Sequence, residues 1–446
     1  MIKQIDIDKV LDAANIVDVV SDFMQLKAAG SNMKGLCPFH DDSNPSFMVS
    51  PAKNICKCFV CGEGGGPVNF VMKHEGMTFP EAIRYLAKKY GIRIEEKEPT
   101  ATEQEEYLQR EAMYIANDVI NKEFQKQLLS NKKAQDYAYG RWGKEYCDEI
   151  GVGYCPPYAN LVLKVGIKKE IAEMLKLIND KGSDFFFNRI TIPIRNQQNR
   201  IIGFTARIPE DNTKKLKYLN SADSLLYNKS KSIFGINTAY KQATQSKTFF
   251  LVEGAPDCMR LQSIGVYNTV ATLGSAWTEE QLKQLKRHAS HLCFLPDADP
   301  PKTNGEHGPG INAVIRAGEM AMQMGFSVSV KQIPVTEEKN DPDSFCTSKD
   351  IFDNIEELDF VLWLADQIFD EGKTKEKQGE IVTRIAALLA LIDNETTVSI
   401  YITNLLKKTG TKQLWRNAVN EKRKAAAEEE EKKKSDKESE LYNGPI

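Results

Sequence analysis

The chain has 446 residues, of which 41% are apolar and 27% are charged, and its formal net charge is −3. This length predicts two to four domains rather than a single core. The longest apolar run has eight residues, well short of the roughly 20 that a membrane helix needs. The N-terminus also lacks the basic and apolar segments of a signal peptide. We therefore exclude membrane and secreted proteins and expect a cytoplasmic one.

The N-terminal segment combines a helix, a cysteine cluster and a second helix. Residues 7–22 carry apolar side chains at helical spacing, and the segment from Thr78 to Tyr90 does the same before Gly91. Between them lie four of the nine cysteines, and the other five are scattered along the chain. One tight cluster in an odd total indicates a metal site in a reducing compartment rather than a disulfide framework.

The cluster contains two pairs with chelating spacing. Cys37 and His40 form C-x2-H, and after 17 residues Cys58 and Cys61 form C-x2-C. Three thiolates and an imidazole are a typical structural ligand set for Zn²⁺, and four ligands leave no position open for chemistry. We therefore predict a zinc ribbon that holds one structural zinc. Cys56 could compete as a ligand, but the usual C-x2-C spacing favours Cys58.

Aromatic and basic side chains alternate around this ribbon. The combination suits single-stranded nucleic acid, whose bases stack on aromatic rings, but it is also compatible with the packing of a small domain. These residues are Lys34, Phe39, Phe47, Lys53, Lys57, Phe59 and Phe70.

The next part of the chain changes in charge from acidic to basic. Residues 95–106 are acidic and contain no apolar side chain except Ala101, which predicts a solvated linker. Residues 107–135 have helical periodicity and precede strand-like runs at 190–194 and 200–204. Between 188 and 247, eleven Lys or Arg face three acids, a net +8 in a chain of −3. This basic stretch predicts either a surface for the phosphates of a nucleic acid or nucleotide, or a solvated strip.

From Thr248 the pattern alternates between strands and helices, which predicts a parallel sheet covered by helices. The predicted strands are Thr248–Val252, Tyr267–Thr272, Leu292–Leu295 and Ser327–Ile333. The predicted helices lie near 256–264, 278–288 and 311–324. Residues 351–420 are expected to be helical only, and the charged tail from Glu421 is expected to be a frayed or disordered helix.

Carboxylates follow three of the predicted strands. Glu253 follows the first strand, Asp297 and Asp299 follow the third, and Asp341 and Asp343 come shortly after the fourth. Because the carboxyl ends of parallel strands form the ligand-binding edge of a sheet, we expect these side chains to meet there. Carboxylates held together repel unless a cation lies between them, which implies Mg²⁺ or Mn²⁺. Such metals can activate a hydroxyl and neutralise a leaving pyrophosphate.

In this order the motifs resemble those of the bacterial DnaG-type DNA primases, over about residues 5–345. One set resembles the zinc-binding domain of that family: Cys37-Pro38-Phe39-His40-Asp41-Asp42, Pro45-Ser46-Phe47 and Cys58-Phe59-Val60-Cys61-Gly62. A second resembles its basic polymerase motifs: Asn188-Arg189-Ile190, Pro193-Ile194, Gly203-Phe204, Arg207 and Lys217-Tyr218-Leu219-Asn220-Ser221. A third resembles its Toprim motifs: Val252-Glu253-Gly254, Asp257, Thr272-Leu273-Gly274-Ser275, Asp297, Asp299 and Asp341-Pro342-Asp343.

The resemblance implies an enzyme, a DNA-directed RNA polymerase that makes short RNA primers de novo on single-stranded DNA for replication. The residues that would hold catalytic Mg²⁺ or Mn²⁺ are Glu253, Asp297, Asp299, Asp341 and Asp343. Among these, the catalytic residues would be Glu253, Asp297 and Asp299. The residues that would hold the template or the ribonucleoside triphosphates are Arg189, Arg207, Lys217 and Lys229. The zinc ribbon would engage the template.

The expected fold is a multidomain chain of α+β and α/β type. Its expected parts are a zinc-ribbon DNA-binding domain at 1–94, a linker at 95–106, a mixed α+β basic subdomain of the polymerase core at 107–247, a Toprim α/β parallel-sheet subdomain at 248–345, a helical subdomain at 346–420 and a charged, disordered tail at 421–446.

The sequence also departs from the family pattern. Ala298 replaces the glycine that is common between the paired aspartates, a Pro-rich insertion runs from Pro300 to Gly310, and Pro67 replaces a usual aspartate. Little chain remains after residue 420 for the family's helicase-binding domain. We expect that a replicative helicase is either contacted in a non-standard way or not at all, as in a primase of a phage or mobile element.

Other classes fit the motifs less well. A fused helicase would need a P-loop, and before Gly372-Lys373-Thr374 the leading glycine is replaced by Gln367. A topoisomerase would need a tyrosine in a separate cleavage domain. The remaining alternative is a Toprim-containing single-strand DNA-binding or nuclease protein of a phage or mobile element.

Overall fold

A computed structural model describes most of the chain. The described residues are 2–40, 42, 44–52, 54–94, 101–157, 160–209, 216–274, 276–298, 307–335, 340–369 and 374–442. The chain divides into two compact units, Met1–Leu108 and Gln109–Ile446. None of the described helices is both long and apolar enough to cross a membrane.

The first unit contains an antiparallel sheet, with two helices before its strands in the sequence and two helices after them. The strands are β1 (Lys27–Ala29), β2 (Asn32–Gly35), β3 (Phe47–Ser50), β4 (Ile55–Cys58) and β5 (Gly64–Gly65). They pair in chain order, each antiparallel to the next. The helices are α1 (Gln4–Ala13), α2 (Ile16–Ser21), α3 (Pro67–His74) and α4 (Phe79–Lys89).

Side-chain alternation determines which face of this sheet is buried. Phe47 and Val49 of β3 and Cys56 and Cys58 of β4 are buried, while the residues between them are more exposed, as the two-residue period of a strand requires. The helix predicted over 7–22 is divided into α1 and α2, because the Asn15 side chain accepts hydrogen bonds from the first amides of α2 and caps it.

The second unit begins with an antiparallel sheet that is covered on both faces. Its strands, paired in chain order, are β6 (Gly153–Cys155), β7 (Arg189–Arg195), β8 (Ile201–Arg207) and β9 (Tyr218–Asn220). The helices of this part are α5 (Ala101–Leu129), α6 (Lys132–Trp142), α7 (Lys144–Ile150), α8 (Leu161–Lys164), α9 (Lys169–Met174) and α10 (Ile236–Ser246). Phe124 of α5 packs edge-on against Phe204 of β8, with ring centroids 5.7 Å apart.

Helix α5 begins at Ala101, inside the segment that the sequence predicts to be linker, and it crosses from the first unit into the second. Alanine, glutamate and glutamine are strong helix formers, so a segment without an apolar face can still extend a helix. Residues 95–100 of the predicted linker lie outside the described residues.

The central part of the second unit is the predicted parallel sheet. Its strands are β10 (Thr248–Val252), β11 (Thr269–Ala271), β12 (His291–Phe294), β13 (Ser327–Lys331) and β14 (Glu357–Asp359). The strand order is β11-β10-β12-β13-β14, in which β14 is antiparallel to β13 and the other pairs are parallel. The helices are α11 (Ala255–Ser263), α12 (Glu279–Lys286), α13 (Pro309–Gln323), α14 (Pro342–Phe345) and α15 (Lys349–Asp353).

The expectation that residues 351–420 are helical only is wrong at β14. This strand is short and half polar, so its own sequence carries no strand signal, and it forms because β13 offers an unpaired edge. The helices that follow are α16 (Phe360–Phe369), α17 (Lys375–Leu389), α18 (Glu395–Leu405) and α19 (Lys412–Tyr442). They pack against the sheet through a core that includes Phe360, Trp363 and Trp415.

Helix α19 continues into the charged tail, which was expected to be a frayed or disordered helix, as far as Tyr442, and residues 443–446 lie outside the described residues. Lys424 and Glu428 form an ion pair one helical turn apart, at 3.8 Å. Alternating charges at this spacing, together with the run of alanines, support a helix without an apolar face.

Candidate functional site

The four predicted zinc ligands come together in the first unit. One ligand atom each from Cys37, His40, Cys58 and Cys61 lies within 4.8 Å of all the others. Cys37 Sγ is 3.6 Å from Cys61 Sγ, and Cys58 Sγ is 3.9 Å from His40 Nδ1. Three sulfur atoms and one nitrogen at such separations fit a tetrahedral Zn²⁺ ion.

Hydrogen bonds orient these ligands. The amides of Val60 and Cys61 each donate to Cys58 Sγ at 3.3 Å. Burial raises the pKa of the Cys58 thiol, but the hydrogen bonds from Ser46 and these amides outweigh it and lower that pKa to about 6. Asp42 accepts hydrogen bonds from the Cys37 amide at 2.8 Å and from Ser46 Oγ at 2.6 Å. Hydrogen bonds therefore hold both the segment that carries Cys37 and the segment that carries Cys58.

Cys56 lies outside the ligand cluster. Its Sγ donates to the carbonyl of Gly65 at 3.3 Å, and burial raises the pKa of its thiol to about 11. Cys56 is therefore an ordinary buried thiol in this arrangement, and Cys58 lies among the ligands as the spacing favours.

The aromatic residues of the ribbon divide into two groups. Phe39, Phe47 and Phe70 pack against each other with ring centroids 5.6–6.1 Å apart, so these rings form the core of the unit. Phe59, between the two ligands of the second pair, is 73% exposed. Lys53 lies outside the described residues.

The second predicted site lies in the second unit, at the carboxyl edge of the parallel sheet. Glu253 follows β10 directly, Asp297 comes three residues after β12, and Asp341 caps the N-terminus of α14. These three carboxylates line one cavity of about 330 Å³. The parallel strands bring together residues that are far apart in sequence, as expected for this edge.

Backbone contacts fix the carboxylates relative to each other. Glu253 Oε1 accepts a hydrogen bond from the Asp297 amide at 3.2 Å. Ala298 and Asn340 form an isolated antiparallel bridge, with hydrogen bonds of 2.8 and 3.3 Å in the two directions. This bridge holds the segment that carries Asp297 beside the segment that carries Asp341.

Asp257 is a fourth carboxylate of this cavity. It lies in the first turn of α11, where its two oxygens accept hydrogen bonds from the amides of Gly254 at 3.1 Å and Asp343 at 3.3 Å. Burial raises the pKa of Asp257 well above its usual value, and the nearby charges of Asp297 and Asp341 raise it further. The sequence analysis named Asp257 as part of a motif that resembles the Toprim family, but did not predict that it lies at this site. Its short spacing from Glu253 was the signal that could have indicated this.

Of the other two predicted metal ligands, Asp343 belongs to the described residues and is not among those that line the cavity. Asp299 lies outside the described residues. Asp343 is 2% exposed and forms ion pairs with Arg141 and Arg260.

The opposite wall of the cavity is basic and aromatic. It is lined by Arg141, Arg207, Lys217, Tyr218 and Asn220. Arg207 lies between the rings of Tyr137 and Tyr218, with its guanidinium carbon 5.2 and 5.0 Å from the two ring centroids. Asn220 donates to the carbonyl of Leu273 at 2.8 Å and so joins β9 to the edge of the parallel sheet.

The remaining predicted template or nucleotide residues lie around this wall. Arg189 is 9% exposed and donates to the carbonyls of Leu216 at 2.9 Å and Lys217 at 3.3 Å. The side chain of Lys229 lies next to Gly274 at the cavity, 3.4 Å from where a Cβ on that glycine would be. Arg189 therefore supports the segment that carries Lys217, while Lys229 lies at the edge of the cavity.

A divalent cation fits the acidic wall by its chemistry, because Glu253, Asp297 and Asp341 offer the hard oxygen donors that Mg²⁺ and Mn²⁺ prefer. Within the described residues, no three carboxylates have oxygens that all lie within 4.8 Å of one another. Water would complete such a coordination shell.

A zinc ribbon, together with a basic antiparallel sheet that faces a carboxylate edge, defines a nucleic-acid enzyme of the Toprim class. Residues 2–102 match the CHC2 zinc finger family, residues 123–240 match the N-terminal domain of the DNA primase catalytic core, and residues 250–346 match the Toprim-like family.

Curated proteins give the same result over most of the chain. A DNA primase of Clostridium acetobutylicum is 33% identical over 424 residues, which cover 91% of this chain and 68% of the relative. A DNA primase of Aquifex aeolicus is 34% identical over 76% of this chain and 66% of its own length. One from Chlamydia muridarum is 31% identical over 81% of this chain and 61% of its own. The chain thus spans about two thirds of the length of these relatives.

Solved structures agree with the sequence matches. The zinc-binding and RNA polymerase domains of the Aquifex aeolicus primase superpose with a TM-score of 0.55 at 29% identity, over 92% of this chain and 98% of that one. A DnaG primase catalytic domain bound to single-stranded DNA gives a TM-score of 0.56 at 25% identity, over 68% of this chain. The chain belongs to the DnaG-type DNA primase family. The predicted fold class, the predicted class of enzyme and the zinc ribbon are confirmed at this level.

Proposed function

We propose that this chain is a DNA-directed RNA polymerase that makes short RNA primers de novo on single-stranded DNA. The observation that carries the proposal is the cavity in which Glu253, Asp297 and Asp341 face Arg207 and Lys217. A nucleoside triphosphate with its bound metal ion would require both walls of the cavity. The metal needs the oxygen ligands of the acidic wall, and the phosphates need the cations of the basic wall.

The acidic wall would hold the catalytic metal, Mg²⁺ or Mn²⁺, through Glu253, Asp297 and Asp341, with Asp299 added by the family resemblance. When bound, this metal lowers the pKa of the attacking hydroxyl and neutralises charge on the leaving pyrophosphate. The chain's own part is to orient these carboxylates. The Asp297 amide fixes Glu253 Oε1, and the bridge at Ala298 fixes the approach of Asp341.

The basic wall would hold the triphosphate and the template strand. Arg207 is fixed between two tyrosine rings, so its guanidinium is ordered before a phosphate arrives. Lys217 lies on the segment that Arg189 supports through two carbonyls. Lys229, at the edge of the cavity, is suited to the template backbone or the outer phosphates.

The zinc ribbon, with one structural zinc, would engage the template through its exposed face. On this face Lys27 pairs with Lys34, Lys34 with Met48, and Met48 with Lys57, so three lysines form one row across four strands. Because cross-strand partners point to the same side of a sheet, this row is a continuous basic track. The exposed ring of Phe59 follows the last strand of the row and could stack on a base.

Primer synthesis is tested by incorporating labelled ribonucleotides on unprimed single-stranded DNA with Mg²⁺. We expect short products from the wild type and a loss of at least about 10²-fold for Asp297→Ala, because a charge that positions the metal is removed. Asp136→Ala is the matched control, since that carboxylate is 61% exposed and forms an ion pair with Lys132 on its own helix.

The outcomes separate the candidate functions. Cleavage of the DNA in the same assay would favour the nuclease alternative, and DNA binding without any product would favour a single-strand-binding protein. Repeating the assay with replicative helicases tests the proposed partner, since a helicase that restores synthesis identifies a contact that priming needs.

The lysine row is tested by replacing Lys27, Lys34 and Lys57 with glutamine together. We expect weaker binding to single-stranded DNA and a slope of log affinity against log salt that is smaller by about 2, since each phosphate contact on a single strand contributes roughly 0.7. A variant with Lys3, Lys9 and Lys88 replaced removes the same charge elsewhere on this unit. Equal losses in both variants would contradict the assignment of the row.

A further inference from the structure

The environment of Asp343 is unlike that of a metal ligand. Its carboxylate is 2% exposed, and each of its two oxygens has a guanidinium partner. Arg141 donates through Nε and Nη2 to Oδ2, and Arg260 donates through Nε to Oδ1 at 3.3 Å. The Asp343 carbonyl also accepts from Arg260 Nε at 2.9 Å.

The three partners come from separate parts of the second unit. Arg141 lies on α6 of the basic part, Arg260 lies on α11 beside the catalytic edge, and Asp343 lies on α14. Both arginine side chains are largely buried, at 24% and 18% exposure. A metal on Asp343 would displace guanidiniums that have little water to replace their partner, which is strongly unfavourable in a buried site.

Arg141 differs from Arg260 in that it lines the cavity. Its remaining amino group, Nη1, donates to Tyr137 Oη at 2.6 Å. The same Tyr137 ring is the one on which Arg207 lies. Asp343 and Tyr137 therefore hold the guanidinium of Arg141 in one orientation, near the ring on which Arg207 also lies and at the cavity that the carboxylates line.

We propose that Asp343 is a positioning residue for Arg141 rather than a ligand of the catalytic metal, and that Arg141 is a further binding residue for the phosphates of the incoming nucleotide. The second half rests on the proposed function, since it assumes that a triphosphate occupies the cavity. The planar guanidinium suits both tasks, because it can bind a carboxylate through two nitrogens and still present N–H groups to a phosphate.

The first half is tested by Mn²⁺ binding to the full chain, measured by electron paramagnetic resonance in the absence of nucleotide. We expect Asp343→Asn to bind Mn²⁺ within about threefold of the wild type, and Asp297→Asn to lose at least about tenfold, because only Asp297 lies on the acidic wall. An equal loss in both variants would overturn the assignment of Asp343.

Asp343→Asn leaves two guanidiniums without their charge partner, and the variant could fail to fold. Arg141→Lys then takes its place in the Mn²⁺ experiment, because it keeps the charge but loses the two-point pairing. Normal Mn²⁺ binding in Arg141→Lys, with circular dichroism like that of the wild type, supports the proposal. Mn²⁺ binding that is tighter by tenfold or more overturns it, because a carboxylate that ligates the metal would bind it better once its guanidinium partner is weakened.

The second half is tested by equilibrium binding of a fluorescent ATP analogue with Mg²⁺. We expect Arg141→Gln to weaken binding by about tenfold, the effect of one charge-assisted hydrogen bond of roughly 1.4 kcal/mol. Arg260→Gln is the matched control, because it breaks the same ion-pair cluster without removing a cation from the cavity. Equal losses in the two variants, or no loss in Arg141→Gln, would overturn the phosphate contact.

Neither measurement depends on primer synthesis. If the wild type makes no primers, the proposed function fails while the Mn²⁺ and nucleotide affinities still decide the roles of Asp343 and Arg141.

Discussion

Gly310 lies so close to the predicted metal ligand Glu253 that it leaves no room for a side chain. It lies in the first turn of α13, and a Cβ on it would be 2.3 Å from Glu253 Oε1. Real contacts of a Cβ are never this short, so a larger residue has to displace the Glu253 carboxylate. The N-terminal turn of α13 thus sets the position of a predicted metal ligand.

We expect Gly310→Ala to lower primer synthesis by about 10²-fold, the cost of misplacing a reacting group by about 1 Å. Gly379→Ala is the control, because it also replaces a glycine in a helix, α17, but a Cβ there meets nothing within 4 Å. The control should keep full activity and gain slightly in stability, by about 0.5–1 kcal/mol. Full activity in Gly310→Ala, measured in the same priming assay, would contradict this account of Glu253.

Individual residues also show which parts of the site could be predicted from the sequence and which could not. The spacing of Glu253 and Asp297 after strands was sufficient to place both at one cavity, because strand ends in a parallel sheet are a strong local signal. Arg141 could not be found in this way, because its position depends on how α6 packs against α11 and α14. That packing is tertiary, and no local pattern encodes it.

At the level of elements, strands β10 to β13 were predictable, because β10, β11 and β12 are short, largely apolar runs between helices and β13 alternates serine with β-branched valine. Strand β14 was not, since Glu357-Leu358-Asp359 has one apolar residue and forms only against β13. The pairing is reinforced by side chains, as Glu357 Oε1 accepts from Ser329 Oγ at 2.6 Å and lies 3.2 Å from His291 Nε2.

This pairing predicts an acid-sensitive edge of the sheet. The hydrogen bond with His291 lowers the pKa of Glu357 to about 2, against the opposing effect of burial. Since the folded-state pKa lies below the ordinary value of 4.5, the stabilisation is present above pH 4.5 and is lost as the pH falls towards 2. We expect Glu357→Gln to be less stable than the wild type at pH 6, and the difference in denaturant midpoint to shrink between pH 4.5 and 2. A difference that is constant over this range would contradict the contribution of the Glu357 carboxylate.

On the scale of the whole molecule, the division into Met1–Leu108 and Gln109–Ile446 separates the zinc ligands from the catalytic cavity. The first unit is small, and its core is built around the ligand-bearing strands, with Cys37 and Cys58 among its buried residues. Because binding of a structural metal contributes to folding free energy, we expect this unit to be stabilised by its zinc. The second unit has extended cores of its own, which contain none of the four zinc ligands.

Removal of zinc should therefore unfold one unit only. We expect about one zinc per chain and, after chelation, loss of the calorimetric transition of the first unit while that of the second remains. Cys58→Ser should bind no zinc, whereas Cys56→Ala, which removes a buried thiol outside the ligand cluster, should retain it. Zinc loss in Cys56→Ala with zinc retained in Cys58→Ser would reverse the choice of ligand.

The bridge between Ala298 and Asn340 has a consequence for how this enzyme could change in evolution and be engineered. It anchors the chain just after Asp297, and at the start of α13 the chain lies so close to Glu253 that a Cβ on Gly310 would be 2.3 Å from Glu253 Oε1. The connection between two fixed anchors can lengthen at small cost, since doubling a loop adds only about 0.6 kcal/mol of closure entropy. The Pro-rich insertion of this sequence falls between these anchors. The same interval is therefore the natural position for a grafted peptide or a fluorophore that reports on the occupancy of the active site.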